Sequence, residues 1–156
     1  MSDPRALLIV LLAKTGLTQT DAAPLLGVSG RTVRRWMEGV RTPPAVAIDR
    51  LAALARSLDQ VADLRVRALD ETGSAPAVLL VYRRDQDVPS WTGLRTAGCH
   101  LALVRRVAER RPDVLLVTYD RAAYRRWLGS RPDSEALRAA WAAARAEKTR
   151  PPESTG

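Results

Sequence analysis

The chain has 156 residues, of which 46% are hydrophobic, so its apolar side chains suffice for one folded domain or two small ones. The formal net charge of +8 at pH 7 favours polyanionic partners, and nearly all basic residues are arginine, since only Lys14 and Lys148 are lysine. A single cysteine, Cys99, excludes an internal disulfide and a cysteine-rich zinc site.

The first half of the chain predicts four helices. They cover residues 5–14, 18–26, 30–38 and 45–71. Thr18 with Asp21 favours a capping box, Ser29 caps the third helix, and Pro24 is expected to kink or loosen the second. The fourth helix carries one apolar stripe, made of Ile48, Leu51, Leu54, Ala55, Leu58, Val61, Ala62 and Leu69.

The apolar run Ala6 to Ala13 in the first helix is about half as long as a membrane span. It also lacks a basic leader and a small-residue cleavage site, so it does not predict a signal peptide. We therefore expect a cytoplasmic protein without a membrane partner.

The second half predicts an α/β arrangement after a linker at residues 72–76. Strands are expected at 77–82 and 114–119, and helices at 95–111, 121–128 and 134–147. The order strand–helix–strand favours a parallel pair, and two strands alone make a poor sheet, so a homodimer would complete it.

The predicted fold class is therefore α+β. Residues 1–72 are expected to form an all-α helix-turn-helix domain that includes the long connecting helix. Residues 77–148 are expected to form a small α/β dimerisation domain, and residues 149–156 a disordered tail.

Residues 18–38 carry the pattern that most directly indicates a function. Val33 and Trp36 lie three residues apart and are expected to face inward on the third helix. That arrangement leaves Arg31 and Arg35 on one outward stripe, where an arginine fork matches the O6/N7 edge of guanine. The pattern predicts that this helix enters the DNA major groove.

Residues 17–42, LTQTDAAPLLGVSGRTVRRWMEGVRT, resemble the helix-turn-helix of lambdoid phage repressors (XRE-type regulators) and their bacterial relatives. The resemblance implies that Gly30, Arg31 and Arg35 face the groove and read bases. It implies phosphate contacts by Gln19, Thr32, Arg34 and Arg41, while Thr18 and Ser29 at the helix starts are further phosphate candidates.

The second half loosely resembles that of anti-CRISPR-associated autoregulators and related bacterial regulators. The segments that carry this resemblance are an apolar strand, a loop with Trp91, a helix, and VLLVTYDRAAYRRWL. In that family the C-terminal domain forms a homodimer. The resemblance implies a homodimer, and together with the helix-turn-helix it leads us to expect a repressor that binds an inverted repeat in double-stranded DNA as a two-fold dimer.

Catalysis is not expected. Cys99 and His100 are neighbours on a helix, so their side chains point about 100° apart and form a poor nucleophile–base pair. Asp113 and Asp120 flank a strand, and helix capping by Asp120 explains that residue better than a paired-carboxylate site. The sequence predicts neither a cofactor nor a metal.

Two other functions stay open. The pairs Arg105-Arg106, Arg110-Arg111 and Arg125-Arg126 favour either solvated helix faces or an RNA-binding surface on the C-terminal half. The aromatic residues of that half favour a core or a dimer interface over stacking on RNA bases. The other alternative is an antitoxin-type interaction protein, whose second half clamps a toxin.

Overall fold

The computed structural model describes residues 1–73 and 76–150. Its helices are α1 (Pro4–Thr15), α2 (Gln19–Leu26), α3 (Gly30–Met37), α4 (Ala45–Glu71), α5 (Ala97–Arg110), α6 (Arg121–Leu128) and α7 (Glu135–Thr149). The strands are β1 (Val78–Val81) and β2 (Leu115–Thr118), and they form a parallel pair. The architecture is the predicted one, an α+β fold with an all-helical N-terminal part.

The first three helices begin and end within one residue of the bounds that the sequence predicts. Thr18 and Asp21 form the capping box of α2, and the Ser29 hydroxyl accepts the Thr32 amide at the start of α3. Gly27 ends α2 in the left-handed region with φ 69°, a backbone conformation that glycine adopts without a Cβ penalty. α2 runs through Pro24 to Leu26, although proline removes one amide donor.

The helix α4 belongs to two hydrophobic clusters. Its N-terminal half, through Leu51 and Ala55, packs against α1 and α2 in the cluster that also holds Val33 and Trp36 of α3. Its C-terminal half, through Leu58 and Ala62, packs against α5. Within the predicted stripe Val61 is the exception, because 41% of it is exposed.

A third cluster lies between the sheet and α6 and α7. Tyr82, Tyr119, Tyr124 and Trp141 are buried there, with ring centroids 5.2 to 5.9 Å apart along the chain of contacts. Phenylalanine is absent from the sequence, so these rings supply the bulk of this core, as expected.

The ends of several elements differ from the sequence predictions by one or two residues, and α5 covers Ala97–Arg110 rather than residues 95–111. Both strands are shorter by a residue at each end, and α3 ends at Met37, with Glu38 as its C-cap. The last helix extends to Thr149, where the disordered tail was expected to begin. The rest of that tail, residues 151–156, and part of the predicted linker, residues 74–75, lie outside the described residues.

Among the described residues, no helix combines the length and the apolar character needed to cross a membrane.

Candidate nucleic-acid interface

The helix α3 has one buried and one open face. Val33 is fully buried and Trp36 is 5% exposed, both within the cluster formed with α1, α2 and α4. On the opposite side Arg31 and Arg34 are exposed, and Arg35 is partly exposed. Packing against Val33 and Trp36 therefore fixes the direction in which the arginine side chains leave the protein.

The side chains of these arginines are unpaired among the described residues. The side chains of Arg31, Arg34, Arg35 and Arg41 make no hydrogen bond or ion pair with any residue of the described ranges. Their charges are available to a partner, and a polyanion is the partner that such charges attract.

Several arginines of the C-terminal half, by contrast, form ion pairs within the protein. Arg106 donates to the Asp59 carboxylate at 2.7 Å, Arg110 pairs with Asp63 at 2.8 Å, and Arg111 pairs with Asp70 at 2.9 Å. The hydrogen bond from Arg106 is the main reason why the pKa of Asp59 lies below its ordinary value. These pairs join α5 and its C-cap Arg111 to α4, and they neutralise much of the positive charge of the arginines on this part of the chain.

Gly30 opens α3 and has no side chain with which to read a base. A Cβ built at this position would meet no atom within 4 Å. Packing within the chain therefore does not explain the glycine.

Some side chains predicted to contact phosphates at the helix starts already have hydrogen-bond partners within the protein. The Thr18 hydroxyl donates to the Asp21 carboxylate at 2.7 Å, and the Ser29 hydroxyl shares a hydrogen bond of 3.0 Å with that of Thr32. The amides of Gln19 and Gly30, by contrast, lie in the first turns of α2 and α3 and have no intrahelical acceptor. Backbone amides, rather than the Thr18 side chain, are the free donors here.

One supporting contact was not predicted from the sequence. Arg5 at the start of α1 donates from Nε to the carbonyl oxygen of Met37, at a distance of 2.7 Å. Met37 is the last residue of α3, so this bond satisfies a terminal carbonyl and fixes the end of the helix. The partners are 32 residues apart in the sequence, and no local pattern indicates such a pairing.

The three helices that form this surface match a known family of protein domains. Residues 2–42 match the homeodomain-like domain family. The matched residues include α1, α2 and α3 and end before α4, and these helices form a helix-turn-helix. In a comparison of the chain with curated proteins, no protein matches.

Outside the matched residues 2–42, the Cys99–His100 pair is a structural feature of α5. Cys99 is buried, and burial raises the pKa of its thiol, which disfavours the reactive thiolate. Burial also lowers the pKa of His100 to about 4, and its ring lies edge-on to Tyr82 at 4.8 Å. No cluster of three or more potential metal ligands occurs in the part of the chain that is described.

The two aspartates that flank the second strand also have structural partners. Asp120 accepts the Ala123 amide and caps α6, as predicted. Asp113 pairs with Arg111 at 3.2 Å.

Proposed function

We propose that the protein is a sequence-specific DNA-binding transcriptional regulator that represses by binding an inverted repeat as a homodimer. The observation that carries the proposal is the pair of faces on α3. Val33 and Trp36 are held in the core, and the arginines on the other side are unpaired within the described ranges. Repression needs no further surface, because a bound dimer blocks the DNA that it covers.

We assign base reading to Arg31 and Arg35, which lie one helical turn apart, with Gly30 at the start of the same helix. We assign contacts with the DNA phosphates to Gln19, Arg34 and Arg41. The starts of α2 and α3, near Thr18, Ser29 and Thr32, make further phosphate contacts. The resemblance to lambdoid repressors supports this assignment, and the match of residues 2–42 to a homeodomain-like domain supports the helix-turn-helix on which it rests.

Selection of bound duplexes from a random DNA library, combined with a mass measurement of the complex, tests the whole proposal. We expect a recovered site with two related half-sites in inverted orientation and a complex that holds two protein chains. Half-sites on one face of the DNA would have their centres about 34 Å apart, one helical turn. Recovery of no preferred sequence would contradict the proposed function.

Arg34 and Arg35 are neighbours with the same charge and different proposed roles, so each is a control for the other. We expect Arg35→Ala to weaken binding to the selected site by about 1–3 kcal/mol and to relax the preference at one base pair, while random DNA is affected less. Arg34→Ala should weaken both DNAs similarly and reduce the slope of log affinity against log salt by about one. Salt titrations of both variants on both duplexes measure the difference. An equal loss for Arg35→Ala on selected and random DNA would remove it from the base-reading set.

The proposed dimer is supported by the open edge of β2. The Leu115 and Tyr119 amides donate to β1, so the alternating pattern of a parallel ladder points the peptide groups of Leu116 and Thr118 away from it. Leu116 is 52% exposed, and the strand carries no proline or charge that would block pairing. Antiparallel pairing of this edge with its own copy is self-complementary about a two-fold axis and extends the sheet from two strands to four.

Leu116→Asp tests this edge, and Leu64→Asp is the matched control, since Leu64 on α4 is 63% exposed. We expect Leu116→Asp to raise the dimer dissociation constant at least about tenfold, because pairing would bury a charge opposite its own copy. Leu64→Asp should leave the dissociation constant unchanged. Sedimentation over a range of concentrations measures both, and a wild-type chain that stays monomeric would contradict the dimer.

The RNA-binding alternative is less well supported. Arg106, Arg110 and Arg111 are held by acidic residues of α4, so much of the charge on which that alternative depended is neutralised. The aromatic residues of this half are largely buried and offer few free rings for stacking. No contact among the described residues specifically favours an antitoxin.

A further inference from the structure

We infer that α5 of the C-terminal half extends the DNA-binding surface, with Lys14 and Arg105 contacting phosphates that flank the site read by α3. This inference rests on the proposed function and concerns the backbone of the same DNA. It adds a second group of phosphate contacts next to the start of α2, of which Lys14 lies at the end of α1 and Arg105 lies on α5, beyond the matched residues 2–42.

The first support is the fixed position of α5 against the end of α1. A Cβ added to Gly98 would lie 2.3 Å from the carbonyl oxygen of Gly16, so the two backbones are in direct contact. Arg106 donates from Nη1 to the Lys14 carbonyl at 2.8 Å. Both contacts place α5 beside the turn that leads into α2.

The second support is a pair of neighbouring concavities that share Ala13. One groove is lined by Ala13, Gly16, Thr18 and Gln19, at the start of α2, where phosphate contacts are proposed. The adjoining cleft of about 460 Å³ also includes Ala13 and continues over Lys14 and α5. A DNA backbone that leaves the start of α2 along this surface reaches the α5 arginines.

The third support is the charge of that cleft. Its charged lining residues are Lys14, Arg105, Arg106, Arg110, Asp59 and Glu109, and together with Asp63, which pairs with Arg110, they sum to +1. Arg106 and Arg110 are taken up by Asp59 and Asp63. The side chains of Lys14 and Arg105 are exposed and make no hydrogen bond or ion pair with the described residues, so they are the cations left for phosphates.

The test compares the wild-type chain with the double variant Lys14→Ala/Arg105→Ala. The probes are the duplex recovered by selection, cut to its core, and the same core extended by about ten base pairs on each side. The control is Arg125→Ala/Arg126→Ala, which removes the same charge from exposed arginines of α6 that make no hydrogen bond or ion pair in the described ranges.

We expect the wild-type chain to bind the extended duplex with a salt slope steeper by about 1.8 for each chain bound, from two extra phosphates at about 0.9 each. The double variant should lose this difference, so that its binding to the extended duplex falls about tenfold while core binding is nearly unchanged. Ethylation of individual phosphates should show interference in the flank for the wild type and the control only.

Equal slopes of the wild type on both duplexes would overturn the inference, and so would a loss in the control as large as in the double variant. Neither result would affect the proposed function, because sequence preference and the effect of Arg35→Ala are read on the core duplex alone. Failure to recover any preferred core would be the failure of the proposed function itself.

Discussion

Replacement of Trp36 by alanine is expected to lower the free energy of unfolding by about 3–5 kcal/mol, the range for a buried tryptophan truncated in a core. Trp36 is 5% exposed and lies among α1, α2 and α4 in the cluster that orients α3. The cavity left behind would also free α3 to shift, so binding to the selected duplex should fall for both specific and random DNA. Urea unfolding followed by circular dichroism measures the first effect, and DNA titration the second.

Trp91→Ala is the matched control for this change. Trp91 is 43% exposed, and its main described contact is with the Arg138 guanidinium, 5.3 Å from the ring centroid. We expect a loss of about 1 kcal/mol or less, in line with an exposed cation–π contact. Similar losses for both variants would mean that Trp36 does not hold α3 in place.

Gly98→Ala is expected to destabilise the fold by about 1–3 kcal/mol, although alanine is the better helix former. The new Cβ would lie 2.3 Å from the Gly16 carbonyl oxygen, and both groups belong to backbone that cannot rotate away. The clash would push α5 from the end of α1. Unfolding in urea gives the free energy, and protease sensitivity near residues 16 and 98 shows where the structure opens.

Gly30→Ala makes the same chemical change in α3, where the new Cβ meets no atom within 4 Å. We expect it to raise stability by up to about 1 kcal/mol, the ordinary gain of alanine over glycine in a helix. If Gly98→Ala were stabilising to the same degree, the close approach of α1 and α5 would be contradicted.

Local structure follows closely from local sequence in this chain. Capping by Thr18, Ser29 and Asp120 was predictable because a short polar side chain before a helical pattern has few other uses. The inward direction of Val33 and Trp36 followed from helical spacing in the same way.

The contacts between distant segments were not predictable. Gly16 against Gly98, Arg5 on the Met37 carbonyl and Arg106 on Asp59 join residues far apart in the sequence. A periodic pattern indicates which face of a helix is buried but not which element covers it. The sequence also does not show whether an arginine forms an ion pair. The separation of free arginines on α3 from paired arginines on α5 therefore required the structure.

The continuity of α4 has a consequence for the DNA that two copies could share. This helix has 27 residues, about 40 Å at 1.5 Å per residue, and packs at one end on the DNA-facing helices and at the other on α5. Within the described residues, α4 is thus one continuous helix that joins the helix-turn-helix to α5. In a dimer, the protein would then fix both the distance and the relative rotation of the two α3 helices. A base pair inserted between the half-sites would rotate and shift one half-site relative to its α3 helix.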